Sequence, residues 1–281
     1  MPRPLPPLRR AIRGYLGPQT VLIDELPPER RPSALALHRP VEGLGPVGSD
    51  LTVLSYNVQR GHRLERAVAT IEEVVGRYLP DLIFLQEAPV ELMNHPRLEP
   101  FLAPRILFYA PFHQVDRPDR RYSSRQYGQL IASAVALEAP RVVELPTVNP
   151  STLRRGHLMK RIALRGGLRT RDGRRIEVVN VHNEPFARRS ARLVQFETLL
   201  EVADHRSPDV AILCGDFNPS LGQRGEPGLR LLASSGFENA FAHRWRTLDT
   251  CLARGHSGFV SAESLRLPGS DHRPIVVRVG L

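Results

Sequence analysis

The chain has few cysteines, and it contains no long apolar run. Its two cysteines, Cys214 and Cys251, are too few for a disulfide framework, which excludes the small disulfide-stabilised secreted scaffolds. No uncharged apolar run approaches the roughly 20 residues that a membrane-spanning helix needs. Proline and arginine interrupt every apolar stretch near the N-terminus before a signal peptide could form. We therefore expect a cytoplasmic protein in which Cys214 is a buried free thiol.

Lysine is also nearly absent, so the basic character of the chain comes from arginine. The formal net charge is +10, and Lys160 is the only lysine. Residues 154–175 carry nine basic side chains and one acidic one, around a predicted hairpin turn at Asp172-Gly173. Such a segment fits an anionic partner, either nucleic acid or an acidic lipid surface, and it equally fits a solvated arginine-rich hairpin.

The composition divides the chain into two parts. Residues 1–49 hold ten of the 26 prolines and no long periodic segment, so we predict a Pro/Arg-rich tail there and one folded domain over residues 50–281. Within the tail, apolar residues between Leu8 and Leu16 could form one face of a short basic helix. That helix would make a peripheral membrane contact or pack on the domain.

From residue 50 onward, strand and helix patterns alternate. Helical spacing predicts helices from Leu64 to Leu79, from Leu193 to Ala203 and around Leu229 to Ala233. Short apolar runs between them predict strands, and mixed strands with intervening helices indicate sheets covered by helices. The predicted strands are 51–54, 82–85, 106–109, 129–136, 141–145, 157–164, 176–181, 210–213, 247–252, 258–263 and 275–279.

Four of these strands border clusters of polar residues. If the strands share a sheet, the clusters converge at one site. The clusters are Ser55-Tyr56-Asn57, Gln86-Glu87, Gly215-Asp216-Phe217-Asn218 and Ser270-Asp271-His272-Arg273-Pro274.

The residue types in these clusters point to a particular chemistry. Carboxylate and amide oxygens are the donors that Mg²⁺ or Mn²⁺ prefers, whereas two cysteines without paired spacing make a zinc site less favourable. His182, at the end of a predicted strand, and His272 add groups that exchange protons near neutral pH. A metal, a general base and donors directed at an anion together describe phosphoester hydrolysis.

In order and in kind, these motifs resemble the endonuclease/exonuclease/phosphatase superfamily of metal-dependent phosphoesterases, which includes deoxyribonucleases, apurinic endonucleases and neutral sphingomyelinases. The resemblance covers roughly residues 51–281. It implies an α+β fold, a four-layered α/β/β/α sandwich of two mixed β-sheets, with the active site at one end. Residues 50–281 would then form the catalytic domain.

The resemblance also implies roles for individual residues. Glu87 resembles the principal metal ligand, with Asn57 supporting the metal site and Asp271 close to the metal. Asp216 and Asn218 would position the attacking water and the phosphoryl group, and Asp249 would orient His272, the general base or phosphate contact. His182 resembles the histidine that contacts a phosphate oxygen, and Arg161 in the arginine-rich segment is a further candidate for substrate binding. The implied cofactor is Mg²⁺, with Mn²⁺ as a substitute.

The substrate class stays open at this level. The arginine-rich segment favours nucleic acid, provided that the segment flanks the cleft, and hence an endonuclease or exonuclease. The basic tail favours a sphingomyelin-type phospholipid phosphodiesterase, and a phosphatase of small molecules is a third alternative. A non-catalytic binding module is a fourth, although such a module need not retain the carboxylates. No obligate protein partner is implied.

Overall fold

Two mixed β-sheets pack face to face and helices cover their outer surfaces, as the α+β sandwich expectation requires. This computed structural model describes residues 37–114, 126–146, 161–185, 189–219, 222–244 and 247–281. The predicted tail helix between Leu8 and Leu16 lies outside these residues.

The first sheet has seven strands in the order β1-β4-β5-β3-β2-β13-β12. The pair β2 and β3 is parallel, because helix α1 (Leu64–Tyr78) crosses from the end of one to the start of the other, and the remaining pairs are antiparallel. Its strands are β1 (Leu37–Arg39), β2 (Asp50–Asn57), β3 (Leu82–Pro89), β4 (Ile106–Gln114), β5 (Gln126–Ser133), β12 (Gly258–Ser264) and β13 (Ile275–Gly280).

The second sheet has six strands in the order β10-β11-β9-β8-β7-β6. Like the first sheet, it contains one parallel pair of strands connected by a helix, here β8 and β9. Its strands are β6 (Glu138–Glu144), β7 (Ile162–Arg169), β8 (Arg175–His182), β9 (Val210–Asp216), β10 (Glu238–Asn239) and β11 (Asp249–Arg254).

The three helices predicted after residue 50 are present, with shifted ends. None of the helices in the described part of the chain is long and apolar enough to cross a membrane. The helices are α1 (Leu64–Tyr78), α2 (Glu99–Leu102), α3 (Arg189–Ala203), α4 (Gly222–Gly225) and α5 (Pro227–Ser234), with two 3₁₀ turns at Gln59–Gly61 and Val90–Asn94.

Three apolar layers separate the four structural layers. Side chains alternate along each strand, so Val53 and Ile212 enter the layer between the sheets, whereas Leu54 faces α1 and Leu213 faces α3 and α5. Buried strands of this kind are apolar on both faces, which is why they read as continuous apolar runs.

Several strand predictions differ from the structure in their bounds, and two strands begin and end closer to the C-terminus than predicted. The strand expected over 157–164 is β7, which spans Ile162–Arg169, and residues 157–160 lie outside the described residues. Pairing with β8 continues through the Arg169–Arg175 pair, because the backbone ladder forms whether or not the side chains are apolar. The strand expected over 247–252 is likewise displaced, to Asp249–Arg254.

The described part of the expected tail contributes to the domain. β1 pairs with β4, and Val47 is buried in the inter-sheet core while its backbone bonds to Arg169 and Arg171. Residues 37–49 thus pack against the sandwich, and the structure does not describe residues 1–36.

The predicted turn at Asp172-Gly173 joins β7 to β8. Because β8 runs from Arg175 to His182, the turn and the polar end of β8 lie at opposite ends of the sandwich, roughly 20 Å apart at about 3.3 Å per strand residue.

Candidate active site

The candidate site is the polar end of the layer between the two sheets. Alternation along β2, β8 and β9 carries Asn57, His182 and Asp216 into this layer at its rim. Asp249, which begins β11 opposite Asp216, enters the same layer. All four side chains are buried.

Buried amides join the two sheets directly below the site. Gln86 Nε2 donates to Ser55 Oγ at 3.1 Å and to Asn180 Oδ1 at 2.7 Å. Asn180 Nδ2 in turn donates to the carbonyl oxygens of Leu85 and Leu130 at 3.1 and 2.9 Å. These bonds tie the first sheet to the second, so the groups above them keep their separation.

Asp216 and Asp249 are direct cross-strand partners. The Phe217 N–H donates to the Leu248 carbonyl at 3.1 Å, which makes Phe217 and Leu248 a hydrogen-bonded pair. Pairs alternate along an antiparallel ladder, so the two aspartates form a non-hydrogen-bonded pair, whose side chains lie closer together. His272 lies beside both: its Nδ1 is 2.9 Å from Asp249 Oδ2, and its Nε2 is 3.8 Å from Asp216 Oδ2.

This arrangement shifts the protonation of both groups. Burial raises the pKa of Asp216 to about 7, with His272 opposing the rise. Burial lowers the pKa of His272, but the carboxylates of Asp249 and Asp216 outweigh it and raise that pKa to about 10. At neutral pH the ring therefore carries a positive charge beside the two carboxylates.

His182, unlike His272, is held in its neutral form. Arg161 Nη1 lies 3.0 Å from its Nε2, while Arg161 Nε donates to Glu184 Oε2 at 3.0 Å. The same Nε2 is 3.6 Å from Asp216 Oδ2 and 3.7 Å from Glu87 Oε1. Burial, reinforced by the charge of Arg161, lowers the pKa of His182 well below 6.5. His182 is therefore a neutral imidazole at physiological pH.

Glu87 reaches the site through a strand irregularity. The pairing of β3 with β5 shifts register between Leu85 and Ala88, and Glu87 has a φ of 51°, in the left-handed region. Such irregularities redirect a side chain at the end of a strand. Arg60 Nε donates to Glu87 Oε2 at 3.1 Å, and the Arg60 guanidinium lies 5.7 Å from the centre of the Tyr127 ring.

Asn57 positions Asp216. Its Nδ2 donates to Asp216 Oδ2 at 3.0 Å, and its Oδ1 accepts from the Gln59 N–H at 3.0 Å. The amide thus links the end of β2 in one sheet to the end of β9 in the other.

A buried ion pair supports the loop after β9. The Asn218 N–H donates to Asp216 Oδ1 at 3.0 Å, and Asn218 has a φ of 47°. Arg192 on α3 donates to the Asn218 carbonyl oxygen and pairs with Glu226, and both charged side chains are fully buried. Helix α3 therefore holds the position of Asn218.

Carboxylates and one imidazole lie close enough together to hold a metal ion. Among the described residues, ligand atoms of Asp216, Asp249 and His272 all lie within 4.8 Å of one another. Asp271, in the loop before β13, is exposed at the rim, with Oδ1 4.0 Å from His272 Nε2. Oxygen-rich donor sets of this kind suit hard divalent cations.

The structure thus brings all nine of the predicted site residues together. Contacts of 4.0 Å or less connect them in one network, and Arg161 lies beside His182, 5% exposed. Their individual roles stay predictions. The connected residues are Asn57, Glu87, Arg161, His182, Asp216, Asn218, Asp249, Asp271 and His272.

Sequence reasoning missed three charged residues that hold this network. Arg60 follows Asn57 by three positions and Glu184 follows His182 by two, so proximity to a motif was a usable signal for both. Arg192 lies in an arginine-rich helical stretch and carries no such signal. Its role depends on the packing of α3 against the loop after β9.

A two-sheet sandwich with carboxylates, amides and two histidines converging at one end defines a phosphoesterase-type hydrolase. The model of the Endonuclease/Exonuclease/phosphatase family matches residues 54–272. The chain belongs to this family, whose members are generally hydrolytic phosphoesterases. Among curated protein sequences, none matches the chain.

Solved structures share the fold at low sequence identity. An endonuclease/exonuclease/phosphatase from Beutenbergia cavernae DSM 12333 is 16% identical, with a TM-score of 0.64 over 83% of this chain and 72% of that one. The human Nocturnin catalytic domain with bound sulfate is 18% identical, with a TM-score of 0.60 over 88% and 98% of the two chains. D. rerio TDP2 complexed with a single-strand DNA product is 16% identical, with a TM-score of 0.59 over 83% and 100%.

Proposed function

We propose that the protein is a Mg²⁺-dependent phosphodiesterase that hydrolyses nucleic acid, with Mn²⁺ as a competent substitute. The observation that carries this proposal is the pair of histidines on either side of Asp216, whose Oδ2 lies 3.6 Å from His182 Nε2 and 3.8 Å from His272 Nε2. Such a pair can hold a phosphoryl group by hydrogen bonding on one side and by charge on the other.

Glu87 and Asp271 are the residues that we assign to the metal, with Asn57 as a supporting residue. The side-chain amide of Asn57 is hydrogen-bonded to Asp216 and to the Gln59 N–H, and His272 Nδ1 is hydrogen-bonded to Asp249. These groups therefore suit the positioning of neighbouring residues better than direct metal binding. Glu87 and the exposed Asp271 supply hard oxygen donors at the rim. When bound, a divalent cation polarises a phosphoryl oxygen and stabilises the leaving alkoxide.

The protein side chains divide the remaining work. Neutral His182, positioned by Arg161, is assigned to one non-bridging phosphoryl oxygen, and Asn218, whose side-chain amide also donates to the Asn183 carbonyl oxygen, is assigned to another. Asp216, fixed by bonds to both of its oxygens, aligns the attacking water and accepts its proton. His272, oriented by Asp249, places its positive charge where the phosphoryl oxygens become more negative.

Nucleic acid is the substrate class that we favour because the chain is basic, with a net charge of +10, and carries arginines at the site itself. The DNA product bound by D. rerio TDP2 is a property of that protein, and it supports extending the same class to this chain. The turn that carries Arg171 and Arg174 lies at the far end of the sandwich and adds no support. We also propose that the protein acts in the cytoplasm, that it needs no obligate protein partner and that its N-terminal tail contacts a membrane surface.

Purified protein should be assayed on plasmid DNA, an abasic oligonucleotide, RNA and vesicles of choline-headgroup lipid, each with Mg²⁺, Mn²⁺ or EDTA. We expect metal-dependent cleavage of a nucleic acid, lowered at least about 100-fold in Glu87→Gln. Glu99→Gln, an exposed glutamate on α2, is the matched control and should retain the wild-type rate. Cleavage that survives in both EDTA and Glu87→Gln, or that occurs only with lipid, would refute the proposal.

A further inference from the structure

A cavity of about 360 Å³ opens beside Asp249 and His272, and the roles proposed above leave Arg244, Leu248 and Arg273 in its walls without a function. Its walls come from the end of β12, the start of β13 and the segment before β11, and they include Arg244, Leu248 and Arg273. The volume lies at the lower end of the roughly 300–1,000 Å³ that ligand sites occupy.

The cavity lies next to the candidate site, in the direction in which the site residues follow one another across the strands of both sheets. In the second sheet the site runs from His182 on β8 across β9 to Asp249 on β11, and in the first it runs from Glu87 on β3 past β2 to the loop before β13. The cavity lies next in the same direction, beyond His272. If a phosphoryl group is held between His182 and His272, the part of the substrate attached to it on the His272 side would therefore enter the cavity.

The walls suit an anion with an attached apolar surface. Arg273 is exposed and Arg244 is half-buried, and neither makes an ion pair with a carboxylate among the described residues. Arg244 lies over the Phe241 ring, 5.8 Å from its centre, which restricts its guanidinium. Leu248 is 41% exposed and supplies an apolar surface in the wall of the cavity.

Two acidic side chains also line the cavity, but each already has another partner or role. Asp249 accepts the hydrogen bond from His272, and Asp271 is assigned above to the metal. The groups that remain for a ligand include the two guanidinium groups and the leucine.

We infer that this cavity is a subsite for the nucleotide next to the scissile phosphodiester, with Arg244 and Arg273 binding its phosphate and Leu248 contacting its sugar or base. This inference rests on the proposed function and narrows it, because the enzyme would then select substrates with at least two phosphates. Guanidinium groups bind phosphate oxygens through paired, charge-assisted hydrogen bonds, and apolar side chains pack on base faces.

The test compares two substrates that share the reaction and differ in the neighbouring phosphate. Steady-state kcat/KM is measured on a short single-stranded oligonucleotide and on bis(4-nitrophenyl) phosphate, which has one phosphate. We expect Arg244→Gln/Arg273→Gln to lower the ratio of the two values at least about tenfold and to make the salt dependence of oligonucleotide cleavage shallower. Arg77→Gln/Arg230→Gln, which removes two exposed helix charges elsewhere, should leave the ratio unchanged.

A second arm identifies the source of the phosphate. Dinucleotides with a terminal phosphate at the 5′ or the 3′ end are compared with the unphosphorylated dinucleotide. We expect one terminal phosphate to raise kcat/KM in the wild type and to lose this advantage in Arg244→Gln. This single variant lies far along the chain from His272, so the test holds even where Arg273→Gln disturbs the catalytic loop.

The outcomes separate the two proposals. Activity on neither substrate contradicts the proposed function. Activity on both with an unchanged ratio in the double variant, or equal rates on all dinucleotides, overturns the subsite while leaving the proposed function standing. Faster turnover of choline-headgroup lipid vesicles with the same arginine dependence would overturn the assignment of the cavity to a nucleotide.

Discussion

Glu177 on β8 provides a quantitative test of the packing of the second sheet. Its side chain is 8% exposed, and Arg165 Nη1 lies 3.6 Å from its Oε1. Burial raises the pKa of Glu177 from 4.5 to about 7, although Arg165 and Arg206 both lower it. The neutral carboxyl is therefore the form that the folded protein prefers.

The sign of the pH dependence follows from this preference. A carboxyl whose pKa is higher in the folded state binds its proton more tightly there, so Glu177 costs no stability well below pH 4.5. The cost grows as the pH rises through the folded pKa and is complete above it. A difference of about 2.5 units amounts to about 3 kcal/mol, of which about 2.5 kcal/mol develops between pH 5 and pH 8.

Glu177→Gln removes the titration and keeps the shape of the side chain. We expect the free energy of unfolding of this variant, relative to wild type, to rise by about 2.5 kcal/mol between pH 5 and pH 8. Urea denaturation in EDTA measures it, because chelation removes any stabilisation by a bound metal. Glu201→Gln, an exposed glutamate on α3, should change by less than about 0.5 kcal/mol. A difference that stays constant between the two pH values, or that falls, would refute the reasoning.

Three further substitutions test the site and its support. Asp249→Asn should lower kcat about 100-fold or more without changing the unfolding midpoint, because it weakens the bond that orients His272; an equal loss of stability would contradict this. Arg192→Met should destabilise the protein by about 3 kcal/mol in urea denaturation, and adding Glu226→Gln should recover part of the loss, since it removes a buried charge. Gly215→Ala should yield no folded protein by circular dichroism, because a Cβ there would lie 2.1 Å from a carbonyl oxygen of β8; a folded variant would refute the close approach.

The sequence by itself determined which residues could form the site and which end of each strand they occupy. A polar residue directly after an apolar run lies at the end of a strand, and strands that alternate with helices pair in parallel, so the carboxyl ends of β2 and β3 meet, as do those of β8 and β9. The local patterns therefore predicted the candidate residues from Asn57 to His272, whereas the two-sheet sandwich that brings them together was implied by the family resemblance.

Only the tertiary structure decided how these groups are paired and charged. The register of β9 against β11 sets Asp216 opposite Asp249, and burial then gives His182 and His272 opposite protonation states. No local pattern encodes a register or the dielectric around a buried ring. Local patterns also do not reveal the partner of Arg192, which is 34 residues away, or the place of the arginine-rich turn in the fold. The turn's charge is visible in the sequence, but its position depends on the direction in which β8 runs.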